Sequence, residues 1–317
     1  MSAFKPLQAS APQDKRHNTQ RWESFRTKSG WLPPFNFSVN DLNTFRDQLT
    51  ISSWLALGAC FQGLAYLLFG RLAFLPAGFL LFYRTADAFL QAAGWKSNPM
   101  MKDVILTKFS AQLPDENGDF GAQASREEIC VLLIGTRINH PLGIIGPGVQ
   151  EIGTYFNRMS KELEHEFDTY GMLGITEWTA NERPTGNEIL QVCYFKNAEG
   201  LHKFAHGPTH RAGWDWWNRT IASHPHISIW HEIYHVPAQR WETIYANSSP
   251  TLLGGCRVPI VTKSATSDGT EKRWMRPLVD ATRGPLRTSR GRMGVSRALE
   301  HEGYRGYEYV GDVGGKV

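Results

Sequence analysis

Residues 224–238 read "HPHISIWHEIYHVPA", a run that holds four histidines, one glutamate and two large aromatic residues. The spacing His-Glu-x-x-His within it would place two zinc ligands on one face of a helix. However, isoleucine recurs with a period of two in this run, and a proline ends it, which is typical of a strand. We therefore interpret 226–236 as a strand, and this decides how the surrounding domain is read.

Alternation along a strand predicts which side chains of this run share a face. His231 and His235 fall on one face, whereas Trp230, Glu232 and Tyr234 fall on the other. His231 and His235 would lie about 13 Å apart, which is too far to bind one metal ion together. No metal site is therefore predicted. Because His231 and Glu232 point to opposite faces, both enter one pocket only if a bulge intervenes.

The segments before this strand complete a pattern of six elements. In chain order the elements are a strand at 129–139, an amphipathic helix at 146–170, strands at 173–181 and 187–197, a helix at 198–224 with a break at Gly207-Pro208, and the strand at 226–236. This order predicts an α+β fold of the ferredoxin-like βαββαβ type, in which an antiparallel sheet carries its helices on one face. The other face needs a cover, and a second copy of the chain would supply it in a dimeric α+β barrel.

Composition divides the whole chain into five zones. The expected domains are a polar basic N-terminal segment at 1–49, an apolar helical hairpin at 50–94, a linker at 95–128, a ferredoxin-like catalytic domain at 129–254 and a polar, disordered tail at 255–317.

The apolar hairpin predicts an association with a membrane. Its first run, 51–69, has 19 residues without a charge, enough to cross a hydrocarbon core of about 30 Å. Basic residues on both sides of the hairpin predict that both ends face the cytoplasm, for example at the endoplasmic reticulum. The alternative is two buried helices that pack on the soluble domain.

Other functional classes are not supported by the sequence. A net charge of +4 without a recognised motif does not favour nucleic acid. The four cysteines are far apart, and we expect reduced, buried thiols. Loops for ATP, NAD or flavin and a G-x-S-x-G elbow are absent from the sequence.

Histidines and aromatic residues are the candidates for a site. A histidine near its ordinary pKa suits proton removal at neutral pH, so His210 and His231 are candidate bases or acids and Glu232 a candidate orienting partner. A single histidine in an apolar pocket could instead hold haem. The candidate walls of a pocket for a flat apolar substrate are Trp178, Trp214, Trp217, Trp230 and Tyr234.

The stretch "SIWHEIYHVPAQRWETIYANSSPTLLG" (228–254), together with "FAHGPTHRAGWDWWNR" (204–219), resembles fungal fumagillin-cluster-type monooxygenases of the antibiotic-biosynthesis-monooxygenase group. The resemblance covers 129–254 and the N-terminal apolar hairpin. Its motif E-x-I-Y-x-N-x-x-P adds Tyr245 and Asn247 to the candidate pocket residues.

The resemblance implies a homodimeric barrel that oxidises a hydrophobic secondary metabolite, such as a polyketide or terpenoid. In the wider group, oxygenation can proceed without flavin or metal, so no cofactor is expected and O₂ is the co-substrate. Aldoxime dehydratases, which use haem, have a related barrel, so a haem-dependent lyase is one alternative. A non-catalytic, membrane-associated binding protein is the other.

Overall fold

The computed structural model describes residues 3–12, 46, 48–180, 188–263 and 269–293. The helices are α1 (Ile51–Phe69), α2 (Leu75–Ala92), α3 (Val149–His165), α4 (Phe167–Tyr170), α5 (Ala198–Ala205), α6 (Pro208–Thr220) and α7 (Ser289–Met293). The strands are β1 (Ala11–Pro12), β2 (Ile105–Ala111), β3 (Ile129–Ile138), β4 (Met172–Thr179), β5 (Glu188–Phe195), β6 (Ile227–Val236), β7 (Tyr245–Ser248), β8 (Val258–Lys263), β9 (Thr270–Met275) and β10 (Leu278–Asp280).

The central sheet has four antiparallel strands in the order β4-β5-β3-β6. Helix α3 connects β3 to β4, and helices α5 and α6 connect β5 to β6. This is the ferredoxin-like βαββαβ arrangement, as the sequence predicts. The run of histidines forms β6, which pairs with β3 over its whole length without a register shift.

The helices cover one face of this sheet. Helix α3 places apolar side chains at steps of three and four residues, including the buried Ile152 and Leu163. Leu163 packs with Cys130 and the fully buried Phe195 of the sheet and with Phe204 of α5, whereas Ile152 belongs to a second cluster. The amphipathic period of the helices and the alternation of the strands therefore meet on this face of the sheet.

Part of the opposite face is covered by segments that the sequence did not assign to the domain. Ile129 and Leu173 of the sheet pack against Leu253 and Val258, and against Ala111 of β2. The chain therefore covers this part of the face itself, and a second copy is not needed there.

Two predicted zones are consequently wrong. The zone 95–128 is not a linker, because it contains β2 with the fully buried Phe109. The zone 255–317 is not a disordered tail over its described residues, because β8 to β10 form sheets and Val279 and Leu286 are fully buried. Residues 294–317 lie outside the described residues. These strands are short, and β9 ("TEKRWM") has three consecutive charged residues followed by two apolar ones, so it shows no apolar period of two.

The N-terminal segment joins the same part of the fold at its start. Ala11 and Pro12 pair with β9, and Pro6 pairs with Val279 of β10. Residues 13–45 of the predicted segment 1–49 lie outside the described residues.

The predicted apolar helical hairpin is present as α1 and α2. Gly70 ends α1 with a φ of +57°, a conformation that favours glycine, and a short turn of 3₁₀ helix leads into α2. Across the bend, Gln62 Nε2 donates a hydrogen bond of 3.1 Å to the Ala73 carbonyl. No residue of α1 or α2 is buried, so the alternative of two helices packed into the soluble domain is wrong. By length and composition, the stretch Ile51–Ala92 is apolar enough to cross a membrane.

The four cysteines are all free, but they differ in exposure. Cys130, Cys193 and Cys256 are buried, whereas Cys60 is exposed on α1. Burial raises the pKa of all three buried thiols, to about 12 for Cys193. The expectation of buried thiols is therefore confirmed for three cysteines and wrong for Cys60.

Candidate functional site

The two faces of the central sheet carry different candidate residues. In the pairing of β6 with β3, His231 lies opposite Ile134, and Glu232 lies opposite Leu133. Ile134 packs against the core under the helices, so His231 belongs to the helix-covered face and Glu232 to the other. The predicted phase of this strand is confirmed, and no bulge brings His231 and Glu232 to one side.

On the helix-covered side, His206 and His231 lie near enough to His210 to influence its charge, and we call these three residues the histidine group. His210 is half-buried in the first turn of α6, where its ring meets the edge of Phe204 at 5.7 Å between centroids. His231 is exposed near the outer edge of the sheet, on β6. The group is therefore open to solvent at His206 and His231, whereas His210 is half-buried.

Burial favours the neutral form of His210. Burial lowers the pKa of His210 below its ordinary value of 6.5, and a hydrogen bond to the Ala205 carbonyl opposes this shift. A positive charge on His231 or His206 lowers the pKa further. At neutral pH the His210 ring is uncharged. In the neutral ring one nitrogen donates to Ala205, and the second is an acceptor.

The opposite side of the sheet carries an aromatic surface around Trp230. The Trp230 ring lies across Gly135, where an added Cβ would come within 2.3 Å of it. Only glycine therefore fits beneath the ring. The indole N–H of Trp230 donates to Glu188 over 3.1 Å, and the same carboxylate pairs with Arg137 at 3.1 Å. This pair holds the ring in place.

Three further candidates share this side. Trp178 and Trp230 lie in one row across the sheet, since Leu190 and Gly135 pair between them. Glu232 and Tyr234 follow Trp230 on the same face of β6, two and four residues further along. The Tyr234 hydroxyl donates to the Glu232 carboxylate, and this bond raises the pKa of Tyr234. Trp178 is 46% exposed and Tyr234 is 49% exposed. We call Trp178, Trp230, Glu232 and Tyr234 the aromatic face.

The remaining candidates lie elsewhere, so the structure does not bring all ten into one pocket. Trp217 is buried among core residues of α3 and β6, whereas Trp214 is 55% exposed on the same helix. Tyr245 stacks on Phe109 at 4.9 Å and accepts a hydrogen bond from the Gly254 N–H. Asn247 is exposed on β7. Trp214 and Trp217 point in different directions from α6, because they lie at different positions around the helix. Tyr245 and Asn247 are on β7, which belongs to a different sheet.

Sequence reasoning missed two features of the domain. One is the Arg137–Glu188 pair, whose members share a row only once β3 and β5 are in register. The other is a set of three imidazoles, His140, His224 and His226, whose neighbouring rings lie 4.9 and 5.9 Å apart. Over the described ranges, no group of three or more His, Cys, Asp or Glu side chains could hold a metal ion.

A cavity of about 390 Å³ is lined by none of these candidates. Its lining consists of Leu113, Pro114, Asp115, Glu116, Glu127, Glu128, Leu173, Lys196, Asn197, Val258 and Pro259. Four of these side chains are carboxylates, which would bind an apolar molecule poorly. The cavity is therefore not our candidate for a hydrophobic substrate.

Comparison with known proteins places the chain among oxygenases. Residues 129–253 match the family described as "Monooxygenase af470-like". The chain is 31% identical over 294 residues to Monooxygenase af470 of Aspergillus fumigatus, and this alignment covers 92% of this chain and 98% of that protein. The match includes both the apolar hairpin and the C-terminal strands, because it extends well beyond the central domain.

The similarity to solved structures is weaker. An aldoxime dehydratase in complex with butyraldoxime is 14% identical with a TM-score of 0.34, and the match covers 39% of this chain and 36% of that one. SnoaB of Streptomyces nogalater, a cofactor-independent oxygenase, is 10% identical with a TM-score of 0.23, covering 33% of this chain and 90% of that one. Because both TM-scores are low, the family assignment rests on the sequence relationships alone.

Proposed function

The chain belongs to the monooxygenase af470-like family and is an oxidoreductase, and on this premise we propose that it oxygenates a hydrophobic intermediate of secondary metabolism, such as a polyketide or terpenoid. The apolar hairpin supports an apolar substrate, because it suits molecules that partition out of water. The proposed co-substrate is O₂.

We assign the base to His210, and one observation carries this assignment. His210 is the half-buried member of the histidine group, and its pKa is lowered, mainly by burial. It is therefore neutral at pH 7 and has an acceptor nitrogen available for a substrate proton. His231 lies near enough to influence its charge and opens toward solvent, so we propose His231 as the group that passes the proton on.

Glu232 does not fit the role of orienting partner for His231. It lies on the opposite face of β6, and its carboxylate accepts the Tyr234 hydroxyl. Glu232 therefore cannot orient His231, and it belongs to the aromatic face.

The proposed reaction balances without a bound cofactor. His210 removes a proton from an activated C–H bond of the substrate, and the resulting carbanion gives one electron to O₂. The two radicals combine into a peroxide anion, which takes the proton back from His210 and becomes a substrate hydroperoxide. Loss of the second C–H proton with cleavage of the O–O bond then releases water. A CH₂ group thus becomes C=O, with one atom of O₂ in the product and the other in water. All electrons come from the substrate.

The pH dependence of catalysis follows from the state of His210. We expect kcat/KM to fall as the pH drops through the lowered pKa of His210, below 6.5, because the imidazolium cannot accept a proton. The unfolded chain, with its ordinary pKa, takes up this proton first. The same group therefore also destabilises the fold as the pH falls. Two measurements on wild type and His210→Gln check these effects: kcat/KM against pH, and the free energy of unfolding against pH. An activity that rises toward acid pH contradicts the assignment of the base.

We propose that a second copy of the chain covers the aromatic face. This is the part of the sheet that the C-terminal strands leave open, and it exposes Trp178 and Tyr234. Burying these rings against another copy would remove a large apolar area from water.

The aromatic face predicts how the dimer responds to a charge. Trp178→Glu is expected to give a monomer by sedimentation velocity, because an unpaired carboxylate would be buried in the interface. Trp214→Glu is the matched control, since Trp214 is similarly exposed on α6 but lies on the helix side. A dimer that survives Trp178→Glu unchanged, or a wild-type monomer, contradicts the proposal.

We propose that the hairpin anchors the chain in a membrane with the catalytic domain on the cytoplasmic side. Its support is the uniform exposure of α1 and α2 and the length of the apolar stretch. The endoplasmic reticulum is one such membrane.

Cys60 reports on this insertion without engineering. It is the exposed thiol among the four cysteines, and it lies halfway along α1. We expect a charged maleimide to modify Cys60 in dilute buffer and to leave it unmodified when the protein is reconstituted in phosphatidylcholine vesicles. Cys60→Ser shows the background, and urea exposes the buried thiols. Equal labelling with and without vesicles contradicts insertion.

Metabolite profiling tests the proposed function most broadly. A strain that lacks the gene should accumulate an apolar intermediate that is one oxidation step short of the product. A haem-dependent lyase would instead purify with a Soret absorption band, and its accumulating intermediate would differ from the product by water; His210 would then be its candidate ligand. If the protein only binds its ligand and does not catalyse, the His210→Gln variant would restore the product in the strain that lacks the gene.

A further inference from the structure

The loop between β3 and α3 exposes apolar side chains beside the base of the hairpin. Leu142 is 58% exposed and Ile145 is 76% exposed. Between them, the Ile144 N–H donates a hydrogen bond of 3.1 Å to the side chain of Gln48, two residues before the cap of α1. The loop is therefore tied to the point at which the chain enters the hairpin.

A neighbouring segment adds to the same surface. Ile221, at the end of α6, is 47% exposed, and His224 three residues later lies against Gly148 of the loop. Isolated exposed apolar residues are common on proteins. Three of them grouped around the base of an apolar hairpin are better explained by an apolar partner.

The imidazoles of His140, His224 and His226 hold this loop in one shape. His226 Nε2 lies 2.8 Å from the Pro147 carbonyl. An added Cβ at Gly148, whose φ is +75°, would come within 2.6 Å of His224, and one at Gly146 would come within 3.1 Å of His140. The loop thus fits closely around two imidazoles. A loop held in this way presents Leu142 and Ile145 outward as a fixed feature.

We propose that Leu142, Ile145 and Ile221 form a second contact with the lipid bilayer, so that this end of the catalytic domain rests on the membrane surface. The inference rests on the proposed membrane anchoring of the hairpin. A bilayer fits this surface because α1, which begins just after the loop's partner Gln48, has no charged residue along its length and would enter the lipid there. The loop side chains would then lie at the level where the helix begins, among the headgroups and upper acyl chains.

The test places an environment-sensitive fluorophore on the loop. In a Cys60→Ser chain, NBD is attached to Ile145→Cys, and for comparison to Glu199→Cys, an exposed position at the opposite end of the domain. The full chain is bound to phosphatidylcholine vesicles that contain a minority of phosphatidylserine. We expect a blue-shifted emission and a loss of iodide quenching at position 145 on addition of vesicles, and neither change at position 199.

Each other result has a definite meaning. A chain that sediments with vesicles while the label at 145 stays open to iodide overturns the loop contact but leaves the hairpin anchor in place. A chain that does not sediment with vesicles overturns the anchor and this inference together. A blue shift at 145 before vesicles are added shows a protein partner, such as a second copy, and also overturns the lipid contact.

Discussion

Replacing His210 with glutamine is expected to lower kcat by roughly 10²–10⁴-fold, the usual contribution of a positioned general base. Glutamine is close to histidine in size, and its amide can still bond to the Ala205 carbonyl that holds the ring. It cannot accept a proton. The loss should therefore appear in kcat with a smaller change in KM, and the acid limb of the pH profile should disappear.

Two further variants separate catalysis from structure. His202→Gln changes an exposed histidine of α5 outside the histidine group and is expected to keep wild-type kcat. His231→Gln is expected to cause a smaller loss than His210→Gln, because exposed His231 can be replaced by water as a proton carrier. Circular dichroism checks that each variant is folded. Wild-type kcat in folded His210→Gln would contradict the assignment of the base but not the family.

Replacing Phe109 with alanine is expected to lower the free energy of unfolding by about 3–5 kcal/mol, the usual cost of removing a buried phenylalanine ring. Phe109 is fully buried on β2 and stacks on Tyr245 at 4.9 Å. The strand pairs with β7 on one side and β10 on the other. The ring therefore joins the segment before the central domain to the segments after it.

The matched control lies on the same strand. Leu106 is 64% exposed, and Leu106→Ala is expected to change stability by no more than about 0.5 kcal/mol. Urea denaturation followed by circular dichroism measures both variants. If Phe109→Ala has the same urea midpoint of unfolding as wild type, or if it unfolds with a separate early transition, then β2 is not part of the cooperative core.

The central domain could be predicted because each of its elements carries a regular period. Isoleucines with a period of two mark β6, and apolar residues at steps of three and four mark α3. The hairpin could be predicted because α1 has no charge along its length. Their order along the chain then leaves few arrangements other than the ferredoxin-like one.

The cover of the second sheet face could not be predicted. It is built from strands of three to seven residues, such as β10 and β2, which are too short to show a period. These strands also contain Arg, Lys, Ser and Thr, so their composition suggested a linker and a tail. The apolar side chains of these strands are buried by residues that are far apart in sequence, such as Ala111 and Leu253.

The candidate site was predictable only within single elements. Alternation along β6 separated His231 from Glu232 correctly. It could not show that His210 of α6 lies near His231, because this depends on how the helix packs on the sheet. Nor could it show that Gly135 lies under Trp230, because the register between β3 and β6 sets that contact.

The most direct test of the account uses the accumulated intermediate, the purified wild-type protein and ¹⁸O₂. The account predicts that the product gains one labelled oxygen atom while the other atom of O₂ leaves as water. It also predicts that turnover needs no added flavin, metal or haem, and that His210→Gln forms little product. A product without label, or one that differs from the intermediate by loss of water, would contradict the account.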